Sequence, residues 1–572
     1  MLSLEEIPLL NPLDRALGHF FMERSNADPE LLGLAAALTS YALRQGHVCL
    51  DLNSLQTYDL ADYIDEDFKS RAVQSLTKNP FVGSIDKQDA PLILTQENKL
   101  YLHRYWHYER RLIRLLKNRI NTSNNSSSSD HLNTFLQSSP NLGEEQQLAI
   151  QRAYDSSLTL ISGGPGTGKT TTVLYILAFL LTQSANETLK IGLAAPTGKA
   201  AQRIQDSIHS GIDQLPFSDE EKQTIKIEAV TLHRLLGYQR HSSKFIHNRD
   251  TPLDLDIVII DEASMLDLLL FTKLIEALKP STKLILLGDR NQLASVEAGS
   301  IFGDLIEAKA RNQQLDTKVI ELTKNYRFGN SSSLFKTCEY IKEGKSLEAI
   351  ECITNGDGTL QLDVLPAPSS LKKRLKNELI NHIELLSNAP TPAYALNQLA
   401  EICLLTPLRK GAYGVEGLNR TIESNVRQQH SINPREPYYS GLPIMIVENS
   451  YSQGLFNGDI GVIFRPDPSS NELFAFFEND TDAEPTRYLI PSLPKFETAY
   501  AITVHKSQGS EYNHVLFVIP PGDSPLLTRE LIYTAISRSR KSVEVWSSLD
   551  HLESAIANQI QRTSGILEAM SE

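Results

Sequence analysis

From about residue 157 onward the chain alternates between short unbroken apolar runs and segments whose apolar residues recur at helical spacing. The runs are SLTLIS, LKIGLAA, LDIVIID, TKLILLGD, VIELTKNYR, EICLLTPLR, NHVLFVIP and SVEVW. Strands this apolar are buried on both faces, as in parallel sheets with helices outside. The pattern therefore predicts an α/β fold, and two successive sets of such strands predict two related sheet domains. From about Gly441 to Pro494 it changes to short alternating strands around an NGDIG turn, which predicts a small β insertion. The first hundred or so residues read as mainly helical. One helix is predicted in ADPELLGLAAALTSYALRQG, with Asp28 as N-cap, Pro29 in the first turn and Gly46 just past the end. Between the two regimes lies a Ser/Asn run, Asn118 to Asp130, with too little apolar surface to fold, which predicts a linker.

Composition narrows the class. With 572 residues, 41% hydrophobic and 22% charged, the chain can bury a large core and divide into several domains. It contains no apolar stretch long enough to span a bilayer, and acidic residues stand near its start where a signal peptide carries positive charge, so a soluble, cytoplasmic protein is expected. The cysteines Cys49, Cys338, Cys352 and Cys403 are scattered, which predicts reduced, mostly buried thiols and argues against a structural zinc. A net charge of −14 argues against a surface coated in positive potential. It leaves room for a nucleic-acid channel with local cations and stacking groups. The segment LYLHRYWHYERRLIRLL, Leu100 to Leu116, interleaves aromatics with cations; such a stripe is more often core or partner interface than a platform for bases.

The chemistry begins at ISGGPGTGKTTT, Ile161 to Thr172, a GxxxxGK[ST] loop with a strand before it and a helix after it. Gly163, Gly164, Pro165, Gly166, Thr167, Gly168 and Thr171 belong to the loop that curls backbone N–H groups around phosphates. Lys169 is expected to reach the β and γ phosphates of ATP, and the Thr170 hydroxyl to ligate Mg2+. In LDIVIIDEASMLD a strand ends at Asp261, suited to the magnesium, and Glu262, suited to activate the attacking water. Another strand ends in GDRNQ, where Gln292 can sense the γ phosphate. AAPTGKAAQR and AVTLHRLLG add Thr197 and His233; each could be an ordinary capped helix or buried histidine, or a contact to a nucleic-acid phosphate. In LIYTAISRSRKSVEVW, Arg538, Arg540 and Lys541 follow a helix, where cations ordinarily complement the dipole.

In this order GGPGTGKT, APTGKAA, TLHRLLG, DEASMLD, GDRNQLASVEAG, LTKNYRFG, VHKSQGSEY and YTAISRSR resemble the superfamily 1 DNA helicases of the RecD type. The amino-terminal GHVCLDL and LYLHRYW extend the resemblance to the RecD (alpha) subunits of the RecBCD enzyme, exonuclease V. The resemblance implies two RecA-like P-loop domains, at 136–324 and at 325–440 plus 495–572, with an SH3-like insertion at 441–494. It also implies a helical subunit-contact domain at 1–117 and a flexible linker at 118–135. It gives Gln146 to the adenine edge, makes Arg327 and Arg538 arginine fingers, and puts Gly509 and Glu511 near the nucleotide. Thr197, His233, Thr503 and His505 would line the single-strand track. The implied activity is an ATP-dependent 5′→3′ DNA helicase inside a heterotrimer with RecB-like and RecC-like subunits, acting in double-strand break repair and recombination, with nuclease chemistry in another subunit. A stand-alone RecD-like helicase and a nucleotide-gated assembly subunit are the alternatives. Two departures stand out: the stretch between GDRNQLASVEAG and LTKNYR is compact, and Ser539 occupies a position where alanine is commoner.

Overall fold

The apolar runs become the strands of two parallel sheets, because only a strand covered on both faces can hide every side chain of such a run. The computed structural model describes residues 3–571 except 59, 61–62, 65–67, 122–128, 184–188, 213–227, 240–241, 243, 328–331, 451, 468, 479–483 and 523. The N-terminal unit has the expected helices, α1 (Pro12–Arg24), α2 (Pro29–Arg44), α3 (Phe68–Leu76) and α4 (His103–Asn121). It also has a sheet in the order β1-β4-β3-β2, from β1 (Leu50–Asp51), β2 (Val82–Gly83), β3 (Leu92–Leu94) and β4 (Lys99–Leu102). Strands of two to four residues are too short for a periodicity to register. Helix α2 stands where expected, with Asp28 at its N-cap position and Pro29 after it; the Asp28 φ is 42° and its carboxylate accepts from Ser75 rather than capping the helix.

The expected linker at 118–135 is helical at both ends. Helix α4 continues to Asn121, and α5 (Ser129–Gln137) buries Leu132 and Phe135 against the first sheet domain. Residues 122–128 of that stretch lie outside the described residues.

The first sheet domain contains α6 (Glu144–Asp155), β5 (Leu158–Gly163), α7 (Lys169–Gln183), β6 (Ile191–Ala195) and α8 (Gly198–Ile212). It continues with β7 (Ala229–Thr231), β8 (Ile257–Ile260), β9 (Lys283–Gly288) and β10 (Val319–Leu322). The order β10-β5-β9-β8-β6-β7 is parallel throughout. In the second domain come β11 (Leu360–Asp363) and β12 (Ile402–Thr406), then the insertion. Its strands β13 (Leu442–Ile446), β14 (Ile460–Phe464), β15 (Phe474–Phe477), β16 (Thr486–Leu489) and β17 (Phe496–Thr498) pair antiparallel in the order β16-β15-β14-β13-β17. This sheet ends at Thr498, a few residues beyond the expected boundary. The chain then resumes the second parallel sheet, β11-β20-β19-β12-β18, with β18 (Ala501–Thr503), β19 (Tyr512–Val518) and β20 (Ser539–Trp546).

The last ten described residues depart from the sequence expectation, which gave them to the second sheet domain. They cross back as a strap. Val48 N–H donates to Thr563 at 2.8 Å, Gly565 N–H donates to Glu109 at 2.9 Å, and Arg562 donates to the carbonyls of Ser295 at 2.6 Å and Gly299 at 2.9 Å. The helix Ile566–Ser571 buries Ile566 and Met570 in a core shared with α4 and the first sheet domain. The strap thus ties three parts of the molecule together.

Candidate active site

Neighbouring strands β10, β5, β9 and β8 all release their loops at the same sheet edge, where open α/β sheets hold ligands. The glycine loop follows β5, Asp289 follows β9, Asp261 and Glu262 follow β8, and Asn325 to Arg327 follow β10. Across from them stands the second domain, and between the two lies a cleft of about 290 Å³. Both the loop lysine, Lys169, and Arg538 line it, together with Asp261, Glu262, Gln292, Arg327 and Glu511.

The loop is built for close approach. Gly166 and Gly168 have φ values of 80° and 81°, a region that favours glycine, and a side chain on Gly166 would meet the Cβ of Arg327 at 2.6 Å. Thr167 Oγ1 donates to Gly164 at 2.8 Å, closing the turn. Lys169 Nζ donates to the carbonyls of Gly163 at 2.6 Å and Gly164 at 3.3 Å, which holds the ammonium over the loop. Thr170 and Thr171 open the helix at the cleft wall.

The acids sit in a tighter setting. Burial and the neighbouring Glu262 push the Asp261 carboxyl up to about 6, although Lys169 opposes the shift. A cation between the two carboxylates would reverse that cost. Glu262 is buried and has a φ of 51°, a left-handed conformation rare for a side chain without a local cap. The turn is held by its own N–H, which donates to Asp261 Oδ1 at 2.8 Å. Gln292 Nε2 donates to Asp289 at 3.1 Å, and Tyr533, from the second domain, donates to the same oxygen at 2.9 Å.

Cations reach the cleft from both sides. Arg538 is 1% exposed, and its guanidinium donates to the carbonyls of Thr534 and Ser510, both at 3.3 Å. Arg327 donates to Glu511 at 2.6 Å. Glu511 also receives Arg203, from α8 of the first domain, and Arg540 at 3.1 Å. Burial works against the charge of Glu511, yet Arg203, Arg327 and Arg538 around it hold the carboxyl well below the usual carboxylate range.

The remaining expected residues lie close by. Gln146 is buried against the loop, accepting from Gly143 N–H at 3.0 Å and donating to the Gly168 carbonyl at 3.4 Å, with the Tyr326 hydroxyl on its oxygen. Gly509, with φ of 75°, is in the contact between the domains, where a side chain would meet Ala200 at 3.3 Å. Ser539 is fully buried and its hydroxyl donates to the Ser542 carbonyl at 2.8 Å, a bond that alanine would lack.

The four residues expected on a strand track sit at two kinds of place. Thr197 and Thr503 each follow a parallel strand and cap the next helical turn, accepting from Ala200 at 3.2 Å and Lys506 at 3.3 Å. His233 packs against Tyr238 and Phe245, with ring centroids 6.1 and 5.8 Å away, and burial lowers its affinity for a proton. Burial does the same to His505. The capped-helix reading of Thr197 and Thr503 agrees with this geometry, and both histidines are half-buried.

Sequence reasoning missed Arg203, Tyr326 and Tyr533, each of which stands in or beside the cleft. Arg203 ends APTGKAAQR and Tyr533 opens YTAISRSR, so the segments were visible while their pairing across more than two hundred residues was not.

Residues 6–101 match the family described as RecBCD enzyme subunit RecD, N-terminal domain; residues 146–298 match the AAA domain family, and residues 498–545 match the UvrD-like helicase C-terminal domain. The chain is 33% identical to the RecBCD enzyme subunit RecD of Mycolicibacterium smegmatis, over 98% of this chain and 97% of that one. It is also 33% identical to the RecBCD enzyme subunit RecD of Mycobacterium tuberculosis strain H37Rv, over 94% of this chain and 91% of that one. An ATP-dependent RecD2 DNA helicase of Deinococcus radiodurans is 27% identical, over 85% of this chain and 61% of that one. With a helicase domain match at one end, a RecD-specific match at the other and that degree of identity across nearly all of its length, the chain belongs to the RecD family of helicases.

Proposed function

We infer that this ATP-dependent helicase moves 5′→3′ along single-stranded DNA as a subunit beside RecB-like and RecC-like partners, in the processing of broken DNA ends for recombination. The observation that carries the motor reading is the shared cleft: Lys169 on one domain and Arg538 on the other line the same 290 Å³ space. Lys169 and the loop N–H groups hold the β and γ phosphates, Gln146 reads the adenine edge, and Gly509 and Glu511 border the nucleotide. The half-buried Asp261 carboxylate and the Thr170 hydroxyl suit Mg2+, with phosphate oxygens and water completing its shell. Bound magnesium would neutralise charge between the β and γ phosphates. Glu262 orients and deprotonates the attacking water, and Gln292 reports whether the γ phosphate is present. Arg538 and Arg327 neutralise the charge that builds on the transferred group.

Arg327 is held by Glu511, so a triphosphate must win its guanidinium from that carboxylate; Arg538 has no carboxylate within ion-pair distance among the described residues. ATP therefore draws the second domain onto the first, and hydrolysis releases it. Thr197, His233, Thr503 and His505 grip the strand on the two domains in turn, and the antiparallel insertion acts as the SH3-like element that steadies it.

The RecD-specific N-terminal match favours the subunit reading, whereas the likeness to a RecD2 helicase keeps a stand-alone enzyme as the second reading. Expression with and without RecB-like and RecC-like chains, followed by unwinding of duplexes with 5′ or 3′ tails, separates the two. The subunit reading predicts copurification and unwinding from 5′ tails. Unwinding from 3′ tails alone contradicts the polarity, and full activity with no copurifying partner contradicts the subunit role.

A further inference from the structure

The inner face of α4 is core: Trp106, Leu112, Ile113, Leu116 and Ile120 are buried. Its outer face is cationic and opens a pocket of about 400 Å³, lined by His107, Arg110, Arg111, Arg114 and, from the first sheet domain, Arg249. Among the described residues no carboxylate lines this pocket. Arg111 pairs with Glu276, but Arg110, Arg114 and Arg249 form no ion pair among the described residues. Trp106 also lines it, and the indole Nε1, in a residue 4% exposed, has no hydrogen-bond partner among the described residues. Burial, then Arg111, His103 and Arg114, disfavours a proton on His107, as a locally positive field requires. In a chain of net charge −14 this is a local concentration of positive donors, the kind of field that attracts an anion.

We propose that this pocket is a second anion site, binding the phosphate backbone of DNA just outside the strand track, and it rests on the helicase reading above. Two features favour a nucleic-acid backbone over an acidic protein. Arg104, Arg111 and Arg114 lie seven and three residues apart, about 10 and 4.5 Å along the helix, with the His107 ring between them, a row of cations suited to a regular polyanion. Guanidinium groups also fork onto phosphate oxygens. Arg249 also follows, in sequence, the helix Leu232–Leu235, whose His233 packs on Tyr238 and Phe245 and is a candidate track residue.

The test uses the intact protein with Arg114→Glu and Arg249→Glu combined, and a milder Arg114→Gln, Arg249→Gln pair; both side chains are exposed, so the fold tolerates the change. Fluorescence anisotropy measures binding of three labelled probes over a salt series: a short single strand confined to the track, a longer strand, and a duplex with a 5′ tail. The unaltered protein should bind one or both extended probes more tightly and with a steeper salt dependence than the short strand, and which of them gains identifies a strand or a duplex arm as the occupant. The charge-reversed variant should lose at least tenfold on the favoured probe, its salt slope falling by about 1.4 to 1.8 at roughly 0.7 to 0.9 per phosphate contact. Binding of the short strand, and the ATP turnover it stimulates, should not change, so the motor reading is judged separately. In the unaltered protein, amide exchange over residues 103–117 should slow with the favoured probe and not with the short strand. Unchanged affinity and slope on the extended probes overturn the proposal, as does loss of a copurifying protein subunit with DNA binding intact.

Discussion

Residues in the cleft divide into those the motor reading assigns to phosphate and those it assigns to the chemistry on it. Glu262 is the more constrained of the acids, because its left-handed backbone costs a residue with a Cβ about 1–2 kcal/mol and the surrounding turn imposes it. Two variants separate strain from chemistry. Glu262→Gly should be more stable than Glu262→Ala by about 1 kcal/mol in denaturant melts, since glycine adopts this φ freely, while both lose ATP turnover by roughly 10²- to 10⁴-fold. Equal stability of the two would mean the turn relaxes once the carboxylate is gone. Lys169→Ala should abolish ATP hydrolysis and strand separation together; unwinding that survived it would contradict the motor reading. Nothing in DEAS announces a left-handed residue, since neither Glu262 nor its neighbours is glycine.

Elements show what the sequence could and could not reveal. Every unbroken apolar run became a strand of one of the two parallel sheets, and the loops carrying the phosphate chemistry converge because β10, β5, β9 and β8 are neighbours. The N-terminal sheet was hidden by strands of two to four residues, and the linker was overestimated because α5 carries its apolar residues on one short face. The C-terminal strap was invisible for another reason: its partners, His47, Glu109 and Asp304, lie hundreds of residues away. Ile566→Ala, at a fully buried site where three parts of the molecule meet, should lower unfolding stability by about 2–5 kcal/mol.

The strap also makes stability depend on pH. Burial pushes the Asp304 carboxyl up to about 7, although its hydrogen bond from Ser564 opposes the shift. A carboxyl near 3.8 when unfolded and about 7 when folded binds its proton more tightly in the native state, so this contribution is greatest in acid and is lost as pH rises from about 4 to about 7. Asp304→Asn should therefore raise the melting temperature at pH 8 and flatten its change between pH 5 and pH 8. A variant that melts with an unaltered pH profile would remove Asp304 from the strap's energetics.

At the scale of the whole molecule, two sheet domains meet across one cleft and are already bridged without nucleotide contacts, by Arg203 on Glu511, Tyr533 on Asp289 and Gln508 on the Leu293 carbonyl. On the proposed motor reading, closure on ATP would tighten an existing interface. The same reading would account for strand stimulation of turnover, because whatever presses the domains together would bring Arg538 toward the γ phosphate. The measurement that tests this most directly compares Arg538→Ala with the unaltered protein for fluorescent ATP affinity and for strand-stimulated ATP turnover. The account predicts affinity within a few-fold and turnover reduced by about 10³ to 10⁵. Turnover at the unaltered rate would contradict the claim that both halves of the molecule act on one triphosphate.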